Sequence, residues 1–187
     1  MTGGAPTEVE DHARDALLDF WSRSQADWFS HDAGFDLVFR SRFLTLFEQA
    51  RAGGLQHWEE SPEGCLGLLI LLDQFPRNAF RGSARMYATD DVARRIARTA
   101  MNKGFIGRVP TALQLFMILP FAHSENVDDQ ELSLSLHKAF EPEGADRARR
   151  HWRIVKRFGR FPHRNGILGR TMTVEERRYL ENGGFSG

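Results

Sequence analysis

Apolar residues recur at three- and four-residue steps along almost the whole chain, and no stretch of four or more residues alternates every second position between hairpin turns. Side chains share a face about every 3.6 residues on a helix and every second residue on a strand, so the pattern predicts an all-α protein without strands. Val9, Ala13, Leu17, Phe20 and Trp21 form one such face, and Phe35, Phe39, Phe43, Leu46, Phe47 and Ala50 a second. Ser61 and Pro62 read as the N-cap and first-turn proline of a third helix running through Leu66 and Leu68 to Leu72. It is apolar on nearly every side, as a central helix would be. Thr89-Asp90-Asp91 opens a fourth, through Ile96 and Met101 with Gly104 as its stop, and Pro110 opens a fifth. Asp128 with Glu131 reads as a capping box for a sixth helix carrying Leu132, Leu136 and Phe140. The seventh spans Ala145–Phe158, ended by Gly159, and Thr173 with Glu176 caps an eighth that stops at Gly183-Gly184. About eight helices on short loops pack most simply as antiparallel pairs, in an orthogonal bundle or a helix-pair array. Residues 8–185 are expected to form a single domain, with Met1–Thr7 a disordered tail and Ser186-Gly187 a frayed end.

Charge narrows the classes of partner. Lys and Arg total 25 and so do Asp and Glu, which argues against a protein that binds nucleic acid or an anionic membrane by bulk electrostatics. The apolar runs fall well short of the roughly 20 residues that span a bilayer. Met1–Asp15 lacks the basic and apolar pattern of a secretory leader, and a single cysteine, Cys65, excludes an intramolecular disulfide. A soluble, cytoplasmic protein is the expectation.

Three apolar runs give way at once to dense polar clusters: Cys65–Leu72 into Asp73-Gln74-Phe75-Pro76-Arg77-Asn78, Leu113–Phe121 into His123-Ser124-Glu125, and Ile154–Phe158 into Gly159-Arg160-Phe161-Pro162-His163-Arg164-Asn165. Polar groups beside buried segments are costly unless paired, so the clusters point to one shared pocket. The first and third echo each other and are followed by Arg81-Gly82 and Gly169-Arg170. Pro76 should end the third helix, leaving the Asp73 carboxylate at the negative end of the helix dipole and in need of a cation from Arg77, Arg81 or Arg164. His123 stands near a helix C-terminus, where Glu125 and the dipole would favour its protonated form. His123, Glu125, His163 and Asp73 are thus candidates for proton transfer. Arg77, Arg81, Arg160, Arg164 and Arg170, with Gln74, Asn78 and Asn165, are candidates for holding an anion, since guanidinium forks match carboxylates and phosphates. The bland account makes each group a clamp: buried Asp–Arg pairs, helix-end caps and tight turns. No metal site is expected, because no His-x-x-x-His or Glu-x-x-His pair exists. Cys65 reads as a small buried residue and the four tryptophans as core or lid aromatics. The sequence names no cofactor, and its polar clusters leave two classes open: a pocket for an anionic small molecule, or a helical module that holds a peptide or protein partner.

The run Leu71-Leu72-Asp73-Gln74-Phe75-Pro76-Arg77-Asn78 with Phe80-Arg81-Gly82, then His123-Ser124-Glu125, then Phe158-Gly159-Arg160-Phe161-Pro162-His163-Arg164-Asn165 resembles the signature of a bacterial family known as domain of unknown function 924. The likeness extends from Phe20-Trp21 and Trp28-Phe29 to Leu168-Gly169-Arg170 and the Thr173-x-Glu175-Glu176 start of the last helix. It implies a tetratricopeptide-like all-helical fold and brings no activity with it. The chain departs from the family pattern at Ser22-Arg23, where Phe-Gly is common, and at Gln114 and Ile118, where Arg and Tyr are frequent.

Overall fold

The computed structural model describes residues 8–187, so the expected N-terminal tail, Met1–Thr7, lies outside the described residues. Among the described residues every regular element is helical: α1 (Glu8–Arg23), α2 (Ala33–Arg51), α3 (Pro62–Leu69), α4 (Phe75–Ala79), α5 (Asp90–Asn102), α6 (Gln114–Ala122), α7 (Val127–Phe140), α8 (Ala145–Phe158) and α9 (Val174–Glu181). A π-helical turn, Ile70–Gln74, joins α3 to α4 without a break, which leaves eight helical rods. The start signals mostly hold. Ser61 accepts the Gly64 N–H with Pro62 in the first turn, and Thr173 and Glu176 form a reciprocal capping box on α9; Asp32, which carried no reading in the sequence, caps α2. The box expected at Asp128 and Glu131 does not form. Asn126 is the cap instead, accepting from the N–H groups of Asp128 and Asp129, because its short amide sits one residue ahead of Val127, where the helix begins.

The rod from α3 through the π turn is central, as its composition predicted, and every residue from Gly64 to Pro76 is buried. A Cβ on Gly64 would lie 2.1 Å from the carbonyl oxygen of Trp58, so only glycine lets the 3-10 turn Gln56–Glu60 pack directly on α3. The fully enclosed Trp21, Phe39, Phe47, Phe116 and Phe121 surround this rod and its own Phe75, each contributing about 1.5–3 kcal/mol by its removal from water. Helix α6 is buried from Leu115 to Ala122, and α6, α7 and α8 pack on one another in succession. A smaller cluster of Ile154, Val155 and Phe161 joins α8 to the turn before α9. Among the described residues, no helix is long and apolar enough to cross a membrane.

Pro76 does not end the central rod, contrary to the sequence expectation. The π turn absorbs it: the Phe75 N–H reaches back to the Ile70 carbonyl, and α4 continues with Pro76 in its first turn. The carbonyl of Leu72, four residues before the proline and left without that donor, accepts instead from the buried Thr89 hydroxyl at 2.6 Å. This leaves Asp73 inside the rod, not at its end.

Candidate functional site

A cavity of about 340 Å³ opens where the α1–α2 loop, the end of α4, the C-terminus of α6 and the turn at Pro162–Arg164 meet. Of the residues singled out in the sequence, Gln74, Arg77, Asn78, Arg81, His123, His163 and Arg164 line it. Asp73 stands directly behind that wall. One carboxylate oxygen accepts from His123 Nδ1 at 2.8 Å and lies 3.2 Å from Arg77 Nη1; the other accepts from Gln74 Nε2 at 2.6 Å. Burial opposes ionisation of Asp73, but Arg77, His123 and Gln74 together outweigh it and hold the carboxyl down to about 2. Since Nδ1 faces a carboxylate it carries the proton, and Nε2 is the basic nitrogen left for the cavity.

His123 differs from expectation in both partner and charge. Glu125 is engaged elsewhere, accepting the Phe161 N–H and an ion pair from Arg170, while Asp73 orients the imidazole from fifty positions away. The pKa of His123 is lowered, not raised: burial is the largest cause, and Arg77 adds to it against Asp73. The ring is therefore neutral at pH 7. His163 behaves likewise, pushed down to about 4 by burial and then by Arg164, and its Nδ1 is enclosed without a hydrogen-bond partner.

The arginines divide into two kinds. Arg77 forks onto Asp90 at 2.9 and 3.1 Å and also donates to the Asp73 carbonyl at 2.8 Å. Arg81 pairs with Asp36 and donates to the Ser30 carbonyl, and Asn78 donates to the same Asp36. Arg147 is weakly held, 3.7 Å from Glu141 with its Nε buried and without a partner, and so is Arg164. Its nearest carboxylate oxygen, on Asp90, is 3.6 Å away; Nη2 donates to the His123 carbonyl; and Nε is buried with no partner. Its guanidinium lies between the rings of Tyr87 and Phe161, 4.6 and 4.5 Å from their centroids. Arg160, Arg170, Glu125 and Asn165 lie off the cavity wall and act as clamps. Arg160 forks onto Glu176 and reaches the Thr171 carbonyl, Arg170 holds Glu125, and the wholly buried Asn165 donates to the sulfur of Met172.

Several wall residues were not among the candidate site residues, although Trp28 read as a core or lid aromatic. Trp28 and Phe29 enter from the α1–α2 loop, Tyr87 from the turn before α5, and Arg147 and His151 from α8. Gly187, expected in a frayed end, stands at the cavity against His163. Periodicity could have placed His151 on the buried face of α8, beside Ala148 and Val155. Among the described residues no three His, Cys, Asp or Glu groups are placed to hold a metal ion.

Fold and site together define an all-α protein with a cavity at the end of its central helix, walled by arginine, histidine and aromatic side chains. The chain belongs to the family described as bacterial protein of unknown function (DUF924), whose model matches residues 17–184. A solved structure similar to it is that of a protein of unknown function, ATU0120, from Agrobacterium tumefaciens. The two are 44% identical with a TM-score of 0.90, over 92% of this chain and 99% of that one. No curated protein matches the chain.

Proposed function

We propose that the cavity binds a small anionic molecule in the cytoplasm through Arg164, and that His123, oriented by Asp73, moves a proton on it. The observation that carries this reading is the Asp73–His123 pair at the cavity wall, beside a guanidinium whose Nε has no partner. A neutral imidazole whose Nδ1 is fixed on a buried carboxylate accepts a proton at Nε2, and the resulting imidazolium is stabilised by that carboxylate. A buried guanidinium whose nearest carboxylate is 3.6 Å away is incompletely paired, and an anion in the cavity supplies a further partner for Arg164. His163 and Asn78 stand on the same wall to hold the remainder of the ligand. The other reading, a tetratricopeptide-like module in which all the clusters are clamps, accounts for Arg160, Arg170 and Arg81 better than for the weakly paired Arg164.

The test is a thermal-shift series with phosphate, sulfate and carboxylates, since a ligand of the folded state alone stabilises it by mass action. At least one anion should raise the melting temperature of the native chain and not that of Arg164→Ala, while Arg164→Lys retains part of the rise. Equal shifts in all three, or none in any, would sink the reading.

A further inference from the structure

The cavity wall is balanced in charge. Its four guanidinium groups, Arg77, Arg81, Arg147 and Arg164, are matched by Asp73, Asp90, Asp36 and Glu141 standing behind them. The imidazoles of His123, His151 and His163 are held neutral by burial and by the nearby guanidiniums. No surplus of cations awaits a phosphate dianion, and the poorly compensated groups are Arg164 and Arg147, 3.6 and 3.7 Å from their carboxylates, of which Arg164 lies in the aromatic part of the wall beside His123.

Much of the rest of the wall is aromatic. Tyr87 and Phe161 sandwich Arg164; Trp28, Phe29 and Phe185 complete the enclosure. Phe29 is 55% exposed although it is a large apolar ring, and Arg147 lies over it at 5.1 Å. Exposed rings at the mouth of a concave site serve a ligand better than a core. A volume of about 340 Å³ is at the small end for ligand sites, enough for one ring with a short arm.

Resting on the anion-binding reading above, we infer that the ligand is a monoanion on a flat apolar body, an aryl or arylalkyl carboxylate, with its carboxylate on Arg164 and its ring against Phe29 and Trp28. Placed so, the carboxylate pairs with the Arg164 guanidinium, whose Nη1 stands 3.6 Å from Asp90, and the ring covers apolar surface that acetate or phosphate would leave wet.

Isothermal titration calorimetry with phenylacetate, acetate, inorganic phosphate and benzyl alcohol separates the possibilities. Phenylacetate should bind at least tenfold more tightly than acetate or phosphate, with no detectable binding of benzyl alcohol. Phe29→Ala, at an exposed position where folding is undisturbed, should weaken phenylacetate several-fold and leave acetate unchanged. Acetate or phosphate binding as tightly as phenylacetate, or an unchanged affinity in Phe29→Ala, would overturn the aromatic assignment and leave the anion reading standing. Benzyl alcohol binding as tightly as phenylacetate, or no anion binding at all, would overturn both.

Discussion

His151 should make the fold sensitive to acid by a calculable amount. Its Nδ1 lies 3.1 Å from the Ala122 carbonyl and so bears the proton, Nε2 is enclosed without a partner, and the rings of Phe161 and Phe185 pack on it. Burial first, then His123, Arg164 and Arg147, push its pKa down from 6.5 to about 3. A base whose folded pKa is depressed binds fewer protons folded than unfolded. Its contribution is therefore whole above pH 6.5 and is lost as pH falls from 6.5 toward 3. Between pH 7.5 and 5 that loss is about 2 kcal/mol, from 1.5 pH units below the unfolded pKa at about 1.4 kcal/mol each. His163, down to about 4, adds a similar loss, reduced by its partial exposure. Urea denaturation at pH 7.5 and 5.0 measures the difference directly, and His151→Asn removes the titration while keeping a donor near the Ala122 carbonyl. The fall in stability between the two pH values should be about 2 kcal/mol smaller in His151→Asn than in the native chain, whatever the variant costs at pH 7.5. Equal falls in both, or a His151 ring resonance titrating near pH 6.5, would refute the argument.

Asp73→Asn should cost about 3 kcal/mol in denaturant melts, the low end for breaking a buried pair because Asp90 still holds Arg77. His123→Ala should lie within about 1 kcal/mol of the native chain, since Asp73 keeps Arg77 and Gln74 and functional positions are seldom optimised for stability; a large loss there would make the Asp73–His123 pair a clamp. Arg81→Ala, which removes a partly exposed ion pair to Asp36, should change stability by less than about 1 kcal/mol. Gly64→Ala should be the most damaging single methyl in the chain, exceeding about 4 kcal/mol, because the contact it creates is with backbone and the Trp58 carbonyl cannot swing aside; a melting curve close to native would show that the 3-10 turn is free to move.

The helices were legible because burial imposes period on a sequence, and Ser61 and Thr173 announced their caps by side-chain chemistry that acts within three residues. Pairing across the fold was not. Asp90 read only as part of a helix start and Asp36 carried no reading, yet they take Arg77 and Arg81, because the choice among carboxylates is made by the packing of α2 on α4 and of α5 on the π turn. The echo between Phe-Pro-Arg-Asn and Phe-Pro-His-Arg-Asn has a partial meaning in space: Arg77 and Arg164 approach the same Asp90 from two directions. Their asparagines diverge, one to Asp36 and the other to Met172. The charge of His123 was misjudged for a related reason. A helix C-terminus and a neighbouring glutamate are local features, whereas desolvation depends on everything packed around the ring.

The π turn is where fold and site constrain each other. One extra residue in a turn rotates everything after it by about 100° relative to an unbroken α-helix, and Asp73, inside that widened turn, stands under His123. Two side chains from outside the ladder stabilise it: Thr89 on the Leu72 carbonyl and Arg77 on that of Asp73. Thr89→Val removes the first and leaves a buried carbonyl unsatisfied, at about 1–3 kcal/mol. Pro76→Ala restores a backbone N–H four residues after Leu72, the donor an α-helix would use. In the Thr89→Val background it should therefore recover stability, with a favourable coupling of about 1 kcal/mol or more in a double-mutant cycle. The recovery requires the rod to relax toward α register, which turns Asp73 away. The double variant should accordingly be more stable than Thr89→Val alone while its His123 ring resonances move away from their native positions. Additive costs, or recovered stability with His123 unmoved, would mean that the π turn owes nothing to the missing donor of Pro76.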